Sequence, residues 1–496
     1  MAILSLDAGT TGVTALVVGD DARVLARGYS EFPQHFPADG WVEHDLGEIW
    51  SATLAATGAA LASSPESISA VGITNQRETV CFWDRETLGA PRRAIVWQDR
   101  RTAATCEKLR DAGHEDRVRA LTGLRLDPYF SATKIAWVRE HDPDTWSHVE
   151  SGRVAIGTID SYLIARMTRG LHHVTDPTNA SRTLLYDLHT GTYSEELADL
   201  FGVPLDALPS LVPSYGTVAT TDPATFLGMQ VPIAGIAGDQ QAALVGQAGF
   251  ARGDAKCTYG TGSFLLVNTG EDIVSSPGGL LTTVALGHPD GTRSFALEGA
   301  IFVTGSAVQW LRDGLGIIDT AADIEPLARS VSDSGGVVFV PALTGLGAPD
   351  WDPYARGLII GINRGTTAGH LARATLDGIA CEVRDVVDLM ARDGNVALHG
   401  LSVDGGAAAN NLLCQIQADL LAMPVDRPRE LQTTGVGAAF LAGLGTGVWS
   451  SPEDIAATRS RDRLFTPDPA ITATTLDSMH RRWRDAVSRA QGWAEP

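Results

Sequence analysis

The sequence predicts an α/β protein built from two related halves, and three observations support this prediction. Short apolar runs typical of strands, such as residues 233–237 and 336–341, alternate with helical patterns such as residues 370–390. An apolar run, a glycine turn and a second apolar run occur together near the start of each half. The 496 residues suffice for two or three domains of roughly 150 residues each.

The repeated unit is a predicted hairpin. Its first copy joins two apolar runs through residues 7–12 (Asp-Ala-Gly-Thr-Thr-Gly), and its second copy through residues 259–263 (Tyr-Gly-Thr-Gly-Ser). A third glycine turn, at residues 404–406, leads into a helical run at 411–421. One motif used twice predicts two domains, residues 1–247 and 248–496, with a cleft between them. From about residue 450 the pattern predicts a polar loop, followed by a short helix at 476–490.

Composition and charge exclude several classes of protein. The chain has 59 acidic and 38 basic residues, and its net charge of -21 disfavours nucleic acid and anionic membranes as partners. None of its three lysines follows a glycine, which excludes a Gly-Lys-Ser/Thr phosphate loop. No uncharged apolar run approaches the roughly 18 residues of a membrane span. We therefore expect a soluble, cytoplasmic protein that acts on a small molecule, without membrane insertion.

The glycine turns offer a way to bind phosphate. Backbone N–H groups and hydroxyls in such turns donate hydrogen bonds to phosphate, and the carboxylate of Asp7 could help to hold Mg²⁺. The first turn alone is equally consistent with an ordinary hairpin, whereas its second copy favours a nucleotide held between the two halves. The turn at residues 404–406 precedes a helix N-terminus, whose partial positive charge also suits phosphate.

Two polar motifs follow strand-like runs, where open α/β sheets bind ligands. Residues 74–79 (Thr-Asn-Gln-Arg-Glu-Thr) place Arg77 and Glu78 at such an end, either to bind neighbouring hydroxyls or as a surface ion pair. Asp239 follows the run at 233–237 and could accept a proton from an alcohol, since phosphoryl acceptors lose their proton late. It could also cap a helix, and the two roles are compatible.

The order of these motifs resembles the FGGY carbohydrate kinases and, within that family, the glycerol kinases. Further segments support the resemblance, which runs from the first strand to about residue 445: residues 40–45, 94–98, 127–131, 174–182, 345–357 and 434–439. The resemblance implies an α/β fold with two ribonuclease-H-like domains around a central cleft, as in actin, hexokinase and the Hsp70 ATPases.

The resemblance also implies an activity. It is ATP-dependent phosphorylation of glycerol to sn-glycerol 3-phosphate, with Asp239 as general base, ATP and Mg²⁺ as cofactors, and a homo-oligomer (dimer or tetramer) as the assembly. One alternative is a kinase for another polyol or ketose. Another is a non-catalytic nucleotide-binding regulator of the actin type, which should have lost the base or the substrate pocket.

The resemblance implies roles for individual residues. The hydroxyls of glycerol would be bound by Arg77, Glu78, Tyr129, Asp239 and Gln240, with Trp97 and Phe264 against its carbon side. The nucleotide would be bound by Thr10, Thr11, Thr261, Gly305, Gln309, Gly406 and Asn410. Mg²⁺ would be held by Asp7 and Asp239, largely through water.

Three positions depart from the family pattern. Ala8 replaces a usual glutamine, Thr14 a usual basic residue and Asp99 a common cysteine. We expect the missing cation at Thr14 to weaken nucleotide binding or slow phosphoryl transfer unless another arginine substitutes.

Overall fold

The computed structural model describes residues 1–494. The strands of the first half are β1 (Ala2–Ala8), β2 (Gly12–Gly19), β3 (Val24–Glu31), β4 (Glu43–His44), β5 (Ile68–Asn75), β6 (Cys81–Asp84), β7 (Ala94–Ile95), β8 (Val154–Gly157), β9 (Val174–Thr175), β10 (Tyr186–Asp187), β11 (Thr192–Tyr193), β12 (Ser210–Leu211), β13 (Tyr215–Thr220) and β14 (Pro232–Gly238). Its helices are α1 (Leu46–Ala62), α2 (Ala103–Asp111), α3 (Glu115–Thr122), α4 (Ser131–His141), α5 (Pro143–Glu150), α6 (Ile159–Met167), α7 (Pro177–Ala180), α8 (Glu195–Phe201) and α9 (Asp239–Gly246).

The second half continues this numbering. Its strands are β15 (Ala255–Tyr259), β16 (Ser263–Gly270), β17 (Leu281–Gly287), β18 (Arg293–Ile301), β19 (Val338–Val340), β20 (Leu358–Ile360), β21 (Leu401–Asp404), β22 (Val425–Pro428) and β23 (Arg461–Phe465). Its helices are α10 (Gly305–Asp313), α11 (Ile324–Ala328), α12 (Ala368–Gly394), α13 (Asn411–Leu421), α14 (Thr433–Thr446), α15 (Pro452–Thr458) and α16 (Ala473–Ala490). Short 3₁₀ helices occur at Leu205–Ala207, Ala321–Asp323 and Gly406–Ala409.

Each half is built on one large sheet, and the two sheets share a topology. The first has the order β13-β14-β5-β1-β2-β3 and the second β17-β18-β16-β15-β21-β22-β23. In each, three antiparallel strands (β1-β2-β3 or β15-β16-β18) are extended by two parallel strands (β5 and β14, or β21 and β22). The second sheet carries an additional edge strand, β17, which pairs with β18. The predicted pair of ribonuclease-H-like α/β domains is confirmed.

Both predicted hairpins are present, although their turns differ in length. In the first, Asp7 pairs with Thr14, and the Gly9 N–H donates to the Gly12 carbonyl at 3.0 Å. In the second, Thr258 pairs with Phe264, and the Gly260 N–H donates to the Gly262 carbonyl at 2.8 Å. Glycine is required at Gly262 because a Cβ there would lie 2.3 Å from the Ile301 carbonyl oxygen.

Helices α9 and α14 join the two halves. Although α14 comes late in the chain, it packs on the first sheet, where a Cβ on Gly72 would lie 2.0 Å from the Ala438 carbonyl oxygen. A Cβ on Gly437 would lie 1.8 Å from the Ala242 carbonyl oxygen of α9. Small residues thus allow close backbone contact at this junction. The domain boundary at residues 247/248 remains a prediction, and α14 belongs by packing to the first sheet.

The C-terminal segment corrects one prediction. Residues 452–465 are not a polar loop but form α15 and β23, and β23 extends the second sheet by pairing with β22. Four of the five β23 residues are exposed, so this edge strand carries no apolar alternation by which sequence could reveal it. The predicted helices at 370–390, 411–421 and 476–490 are present within α12, α13 and α16. Within residues 1–494, no helix has both the length and the apolarity needed to cross a bilayer.

Candidate active site

The ends of strands β5 and β14 bring two predicted residues into contact. Arg77 follows β5 and Asp239 begins α9 directly after β14, and Arg77 Nε lies 3.0 Å from Asp239 Oδ1. Arg77 Nη2 also donates to the Tyr129 hydroxyl at 3.4 Å. The Arg77 side chain is 2 % exposed, so the interpretation of Arg77 and Glu78 as a surface ion pair is wrong. Burial makes this guanidinium a fixed charge at the ends of strands β5 and β14.

Glu78 lies in a strained turn beside Arg77. Its φ is +62°, and the Thr79 N–H donates to the Arg77 carbonyl at 2.7 Å, which closes a three-residue turn around Glu78. A non-glycine residue in this conformation costs on the order of 1–3 kcal/mol and persists only where the surroundings enforce it. Burial raises the pKa of the Glu78 carboxyl, and the neighbouring Arg182 and Arg77 oppose that rise.

Two charged residues that sequence reasoning missed complete this cluster. Glu298, on β18 of the second half, accepts hydrogen bonds from both Arg77 and Arg182, the latter at 2.8 Å. Arg182 Nε donates to Glu78 Oε1 at 2.6 Å. Although burial alone would raise it, Arg182 and Arg77 hold the pKa of Glu298 below its ordinary value. The available signal was a lone charge inside the apolar run 295–301, since a buried charge requires a partner.

The predicted aromatic wall is divided between the halves. Trp97 packs edge-on against Tyr129 with ring centroids 5.5 Å apart, and Trp97 Nε1 donates to Thr10 Oγ1 at 3.0 Å. This bond links the predicted aromatic wall to the first glycine turn. Phe264 lies on β16 of the second half, and among residues 1–494 no aromatic ring pair joins it to Trp97 or Tyr129.

Gln240 is linked to both sides of the cleft. Its backbone N–H donates to Asp239 Oδ1 at 2.7 Å. Its side-chain Oε1 accepts from Lys256 Nζ, and the same ammonium donates to the Phe264 carbonyl at 3.4 Å. The structure therefore brings Arg77, Glu78, Tyr129, Asp239, Gln240 and Trp97 together, and connects Phe264 to them through Lys256.

A cavity of about 530 Å³ lies in the second half. Of the predicted nucleotide contacts, its lining contains Thr261, Gly305, Gln309, Gly406 and Asn410. Thr10 and Thr11 are not among its lining residues, because they lie in the first hairpin turn, between β1 and β2. Apart from Arg312 and Glu325 the lining is uncharged, so backbone groups and apolar surface dominate the cavity.

Backbone geometry shapes this cavity. The Gly305 N–H donates to the Gly260 carbonyl at 3.0 Å, which fixes the second glycine turn against the start of α10. The Asn410 side chain accepts from the Leu413 N–H at 2.9 Å and caps α13. A Cβ on Gly406 would meet no atom within 4 Å, so the cavity is open at that position.

Asp7 is the second predicted metal ligand. Burial and the negative charge of Asp239 raise the pKa of the Asp7 carboxyl to about 7. No group of three or more His, Cys, Asp or Glu side chains within residues 1–494 could hold a metal ion. Two neighbouring carboxylates without further protein ligands fit Mg²⁺, which usually keeps several waters and binds one or two carboxylates.

The departures from the family pattern occupy different environments. Asp99 is buried and accepts from the Val42 N–H at 2.7 Å and from Arg101 Nη2 at 2.8 Å, and the Arg101 guanidinium stacks 3.8 Å from the Trp41 ring centre. Asp99 thus orders the buried Arg101 side chain against Trp41, and within residues 1–494 it forms no hydrogen bond to Arg77, Glu78, Tyr129 or Asp239. Thr14 pairs with Asp7 across the first hairpin and therefore shares its face of the sheet. Ala8 is buried.

Sequence comparison identifies the family. The sequence model of the FGGY family of carbohydrate kinases matches this chain with its N-terminal domain at residues 2–246 and its C-terminal domain at residues 255–446. The chain belongs to the FGGY family of carbohydrate kinases. The matches cover more than half of the chain and fall on the two sheets described above.

Individual FGGY kinases are similar over the full length. A glycerol kinase of Aromatoleum aromaticum is 52% identical over 496 residues, covering 99% of both chains. Glycerol kinase 2 of Thermotoga maritima is 49% identical over 494 residues, with 99% of each chain covered. The crystal structure of Plasmodium falciparum glycerol kinase with ADP superposes with a TM-score of 0.91 at 32% identity, covering 99% of this chain and 98% of that one.

More distant FGGY kinases share the fold. A xylulose kinase of Lactobacillus acidophilus superposes with a TM-score of 0.87 at 20% identity, and 99% of each chain is covered. At that identity the similarity concerns architecture and not the choice of substrate.

Proposed function

We propose that this FGGY kinase transfers the γ-phosphoryl group of ATP to glycerol and forms sn-glycerol 3-phosphate. The observation that carries the proposal is the cluster of Arg77, Glu78, Tyr129 and Asp239 at the strand ends of the first half. Full-length similarity to glycerol kinases at about half identity supports it, as does the similarity to a glycerol kinase structure with ADP.

The cluster fits a small polyol. Within residues 1–494, Glu78 Oε2, Asp239 Oδ2 and Gln240 Nε2 form no hydrogen bond to protein and are not fully buried. They offer two acceptors and one donor for hydroxyl groups, each of which costs about 1–3 kcal/mol if it is buried without a partner. Trp97 and Phe264 would cover the carbon side and exclude water, a competing phosphoryl acceptor.

Asp239 is proposed as the general base. The hydroxyl oxygen of glycerol bonds to the γ-phosphorus, the bond between that phosphorus and the β–γ bridging oxygen breaks, and the hydroxyl proton passes to Asp239. Arg77 on Oδ1 orients the carboxylate and leaves Oδ2 for this proton. A carboxylate is adequate as this base because the hydroxyl loses its proton late in a loose transition state.

The nucleotide is proposed to lie across the two halves. Adenosine would occupy the cavity of about 530 Å³ beside Gly305, Gln309, Gly406 and Asn410. Its phosphates would extend toward the first turn, where Thr10 and Thr11 offer N–H and hydroxyl donors, with Thr261 contributing from the second turn.

Asp7 and Asp239 would hold Mg²⁺, largely through water, and the bound ion would neutralise charge on the phosphate oxygens. Burial and, secondly, the negative charge of Asp239 raise the pKa of Asp7, and a bound cation would oppose both effects, which supports this assignment. The expected homo-oligomer stays a prediction, which light scattering would test.

The experiment is a coupled ADP-release assay with Mg²⁺ and ATP, comparing glycerol with tetritols, pentitols, pentuloses and hexoses. We expect a kcat/KM for glycerol in the usual enzyme range of about 10⁴–10⁸ M⁻¹s⁻¹, well above every other acceptor. A higher kcat/KM for another acceptor in the panel would show that the protein is a kinase with a different substrate. No turnover with any acceptor would favour the regulator of the actin type.

A further inference from the structure

Lys256 is a buried charge to which the proposed reaction gives no role. It lies on β15 and is one of only three lysines in the chain. Its side chain is fully buried, whereas Lys108 on α2 is exposed. A buried ammonium must satisfy its donors, so the groups that Lys256 contacts indicate why it is there.

Three acceptors surround the ammonium. Lys256 Nζ donates to Gln240 Oε1, to Thr258 Oγ1 at 2.9 Å and to the Phe264 carbonyl at 3.4 Å. Two of these groups belong to β15 and β16 of the second half, and Gln240 belongs to α9 of the first. The ammonium therefore connects the second sheet to the helix that begins with Asp239.

The contact with Lys256 determines which way the Gln240 amide faces. An ammonium has donors only, so it selects the carbonyl oxygen of the amide and leaves the NH₂ group on the other side. Within residues 1–494, that Nε2 has no protein partner and is not a fully buried atom. Without Lys256 the amide could rotate by half a turn and present oxygen in place of nitrogen.

We propose that Lys256 is a positioning residue for the acceptor substrate: it holds the Gln240 amide so that its NH₂ group donates to a hydroxyl of the polyol. This inference rests on the proposed function, since it gives Gln240 a hydroxyl to bind. Lys256 acts through Gln240 and does not contact the substrate itself, because its three donors are already used.

The test is a double-mutant cycle of Lys256→Met and Gln240→Ala, with the exposed Lys108→Met as the matched control. Kinetic constants for glycerol and ATP are measured in the ADP-release assay, and thermal unfolding shows that each variant is folded. We expect each single variant to raise the KM for glycerol about tenfold, the value of one lost hydrogen bond to the substrate. In each variant the KM for ATP should stay within about twofold of that of the unmodified protein. The Lys108→Met variant should also keep its KM for glycerol within about twofold.

The double variant decides the mechanism. If Lys256 acts through Gln240, Lys256→Met adds less than about twofold to the KM of the Gln240→Ala protein. A full additional tenfold loss in that background, or an unchanged KM for glycerol in Lys256→Met alone, overturns the proposal. Failure of the unmodified protein to phosphorylate glycerol would instead overturn the proposed function, so the two failures are distinguishable.

A second variant covers the case in which Lys256→Met does not fold. Gln240→Glu keeps an oxygen acceptor for Lys256 and replaces the free NH₂ donor by a second oxygen. We expect it to fold with a thermal midpoint at or above that of the unmodified protein and to raise the KM for glycerol about tenfold or more. An unchanged KM for glycerol would show that the NH₂ group does not bind the substrate, and the proposal would be wrong.

Discussion

The two halves of the molecule share one topology but present different chemistry in their clefts. On the first β-strand of each half, Asp7 on β1 corresponds to Thr258 on β15 when the glycines at the start of the two turns are aligned. The first half gathers charged side chains, whereas the second forms a cavity of glycine backbone and apolar residues. We therefore expect a duplicated scaffold to serve reaction chemistry in one copy and adenosine binding in the other.

The largest expected effect lies in the charged half. Asp239→Asn removes the proposed base but keeps the size of the side chain, and we expect kcat to fall by about 10²–10⁴-fold. Nucleotide binding, measured by calorimetry with ADP, should remain. The exposed Asp199 on α8 supplies the control Asp199→Asn. Unchanged turnover of Asp239→Asn would show that Asp239 is not the general base.

The next effect concerns the charge that the second half contributes to the first. Glu298→Gln leaves Arg77 and Arg182 buried without their shared carboxylate, and we expect a loss of about 3–5 kcal/mol in the free energy of unfolding. The matched control is Glu196→Gln, because the pair Arg117–Glu196 is more than half exposed on both sides. That control should cost less than about 1 kcal/mol in urea unfolding. Equal losses in both variants would show that the buried cluster gives no special stability.

The cavity of the second half can be altered without touching the charged cluster. Gly406→Val adds methyl groups where a Cβ would meet no atom within 4 Å, so the variant should fold and partly fill the cavity. We expect a KM for ATP at least about tenfold higher, with the KM for glycerol unchanged. The neighbouring Gly405 has a φ of +83°, so Gly405→Val should instead destabilise the fold. If Gly406→Val raised the KM for glycerol together with the KM for ATP, this would contradict the proposed binding of glycerol in the first half and adenosine in the second.

Asp7 should make Mg²⁺ and ATP binding in the first half sensitive to pH, whereas the corresponding residue of the second half is Thr258. With a pKa of about 7 the Asp7 carboxyl is protonated below pH 7, so its ability to hold Mg²⁺ with ATP should decline as pH falls. At pH 6 about one-tenth of the carboxyl is ionised, and we expect the KM for MgATP to rise by up to about tenfold relative to pH 8. A flat KM between pH 6 and 8 would contradict this role.

The same pKa predicts the effect of Asp7 on stability. The folded state retains the proton up to about pH 7, whereas the unfolded chain loses it near pH 4, so the contribution of Asp7 to stability falls as pH rises from about 4 to 7. Asp7→Asn should therefore raise the free energy of unfolding more at pH 8 than at pH 5. Urea unfolding at the two pH values measures this difference, and a larger gain at pH 5 would exclude it.

The smallest effect tests the missing cation of the first turn. Thr14 shares the face of Asp7, so Thr14→Arg should place a positive charge near the phosphates and lower the KM for ATP by roughly two- to fivefold. The same charge should lower the pH at which MgATP affinity declines, since an opposite charge favours ionised Asp7. Unmoved ATP kinetics would show that position 14 does not face phosphate.

Local signals made much of this architecture predictable. Both hairpins, the strand ends before Arg77 and Asp239 and the helices α12 and α13 follow from turn glycines and apolar periodicity, which act over a few residues. Most of the proposed nucleotide-binding residues lie in or next to the three glycine turns. The resemblance to a known family, and not spacing alone, supplied their individual roles.

The parts that sequence reasoning missed depend on contacts between distant segments. Glu298 and Lys256 are charges inside apolar strands, and their purpose becomes visible only when the second half meets Arg77 and Gln240 of the first. The sequence of β23 predicts a loop because an exposed edge strand is defined by its pairing with β22 and not by apolar alternation. Long-range pairing leaves little trace in local periodicity.

The most direct test of the two proposed binding sites is a crystal structure of the protein with ADP, Mg²⁺ and glycerol. We expect adenosine in the cavity beside Gly305, Gln309 and Gly406 of the second half. We expect glycerol within hydrogen-bond distance of Glu78 and Asp239 in the first half. Adenosine bound on the first half, or glycerol bound away from these carboxylates, would contradict this expectation.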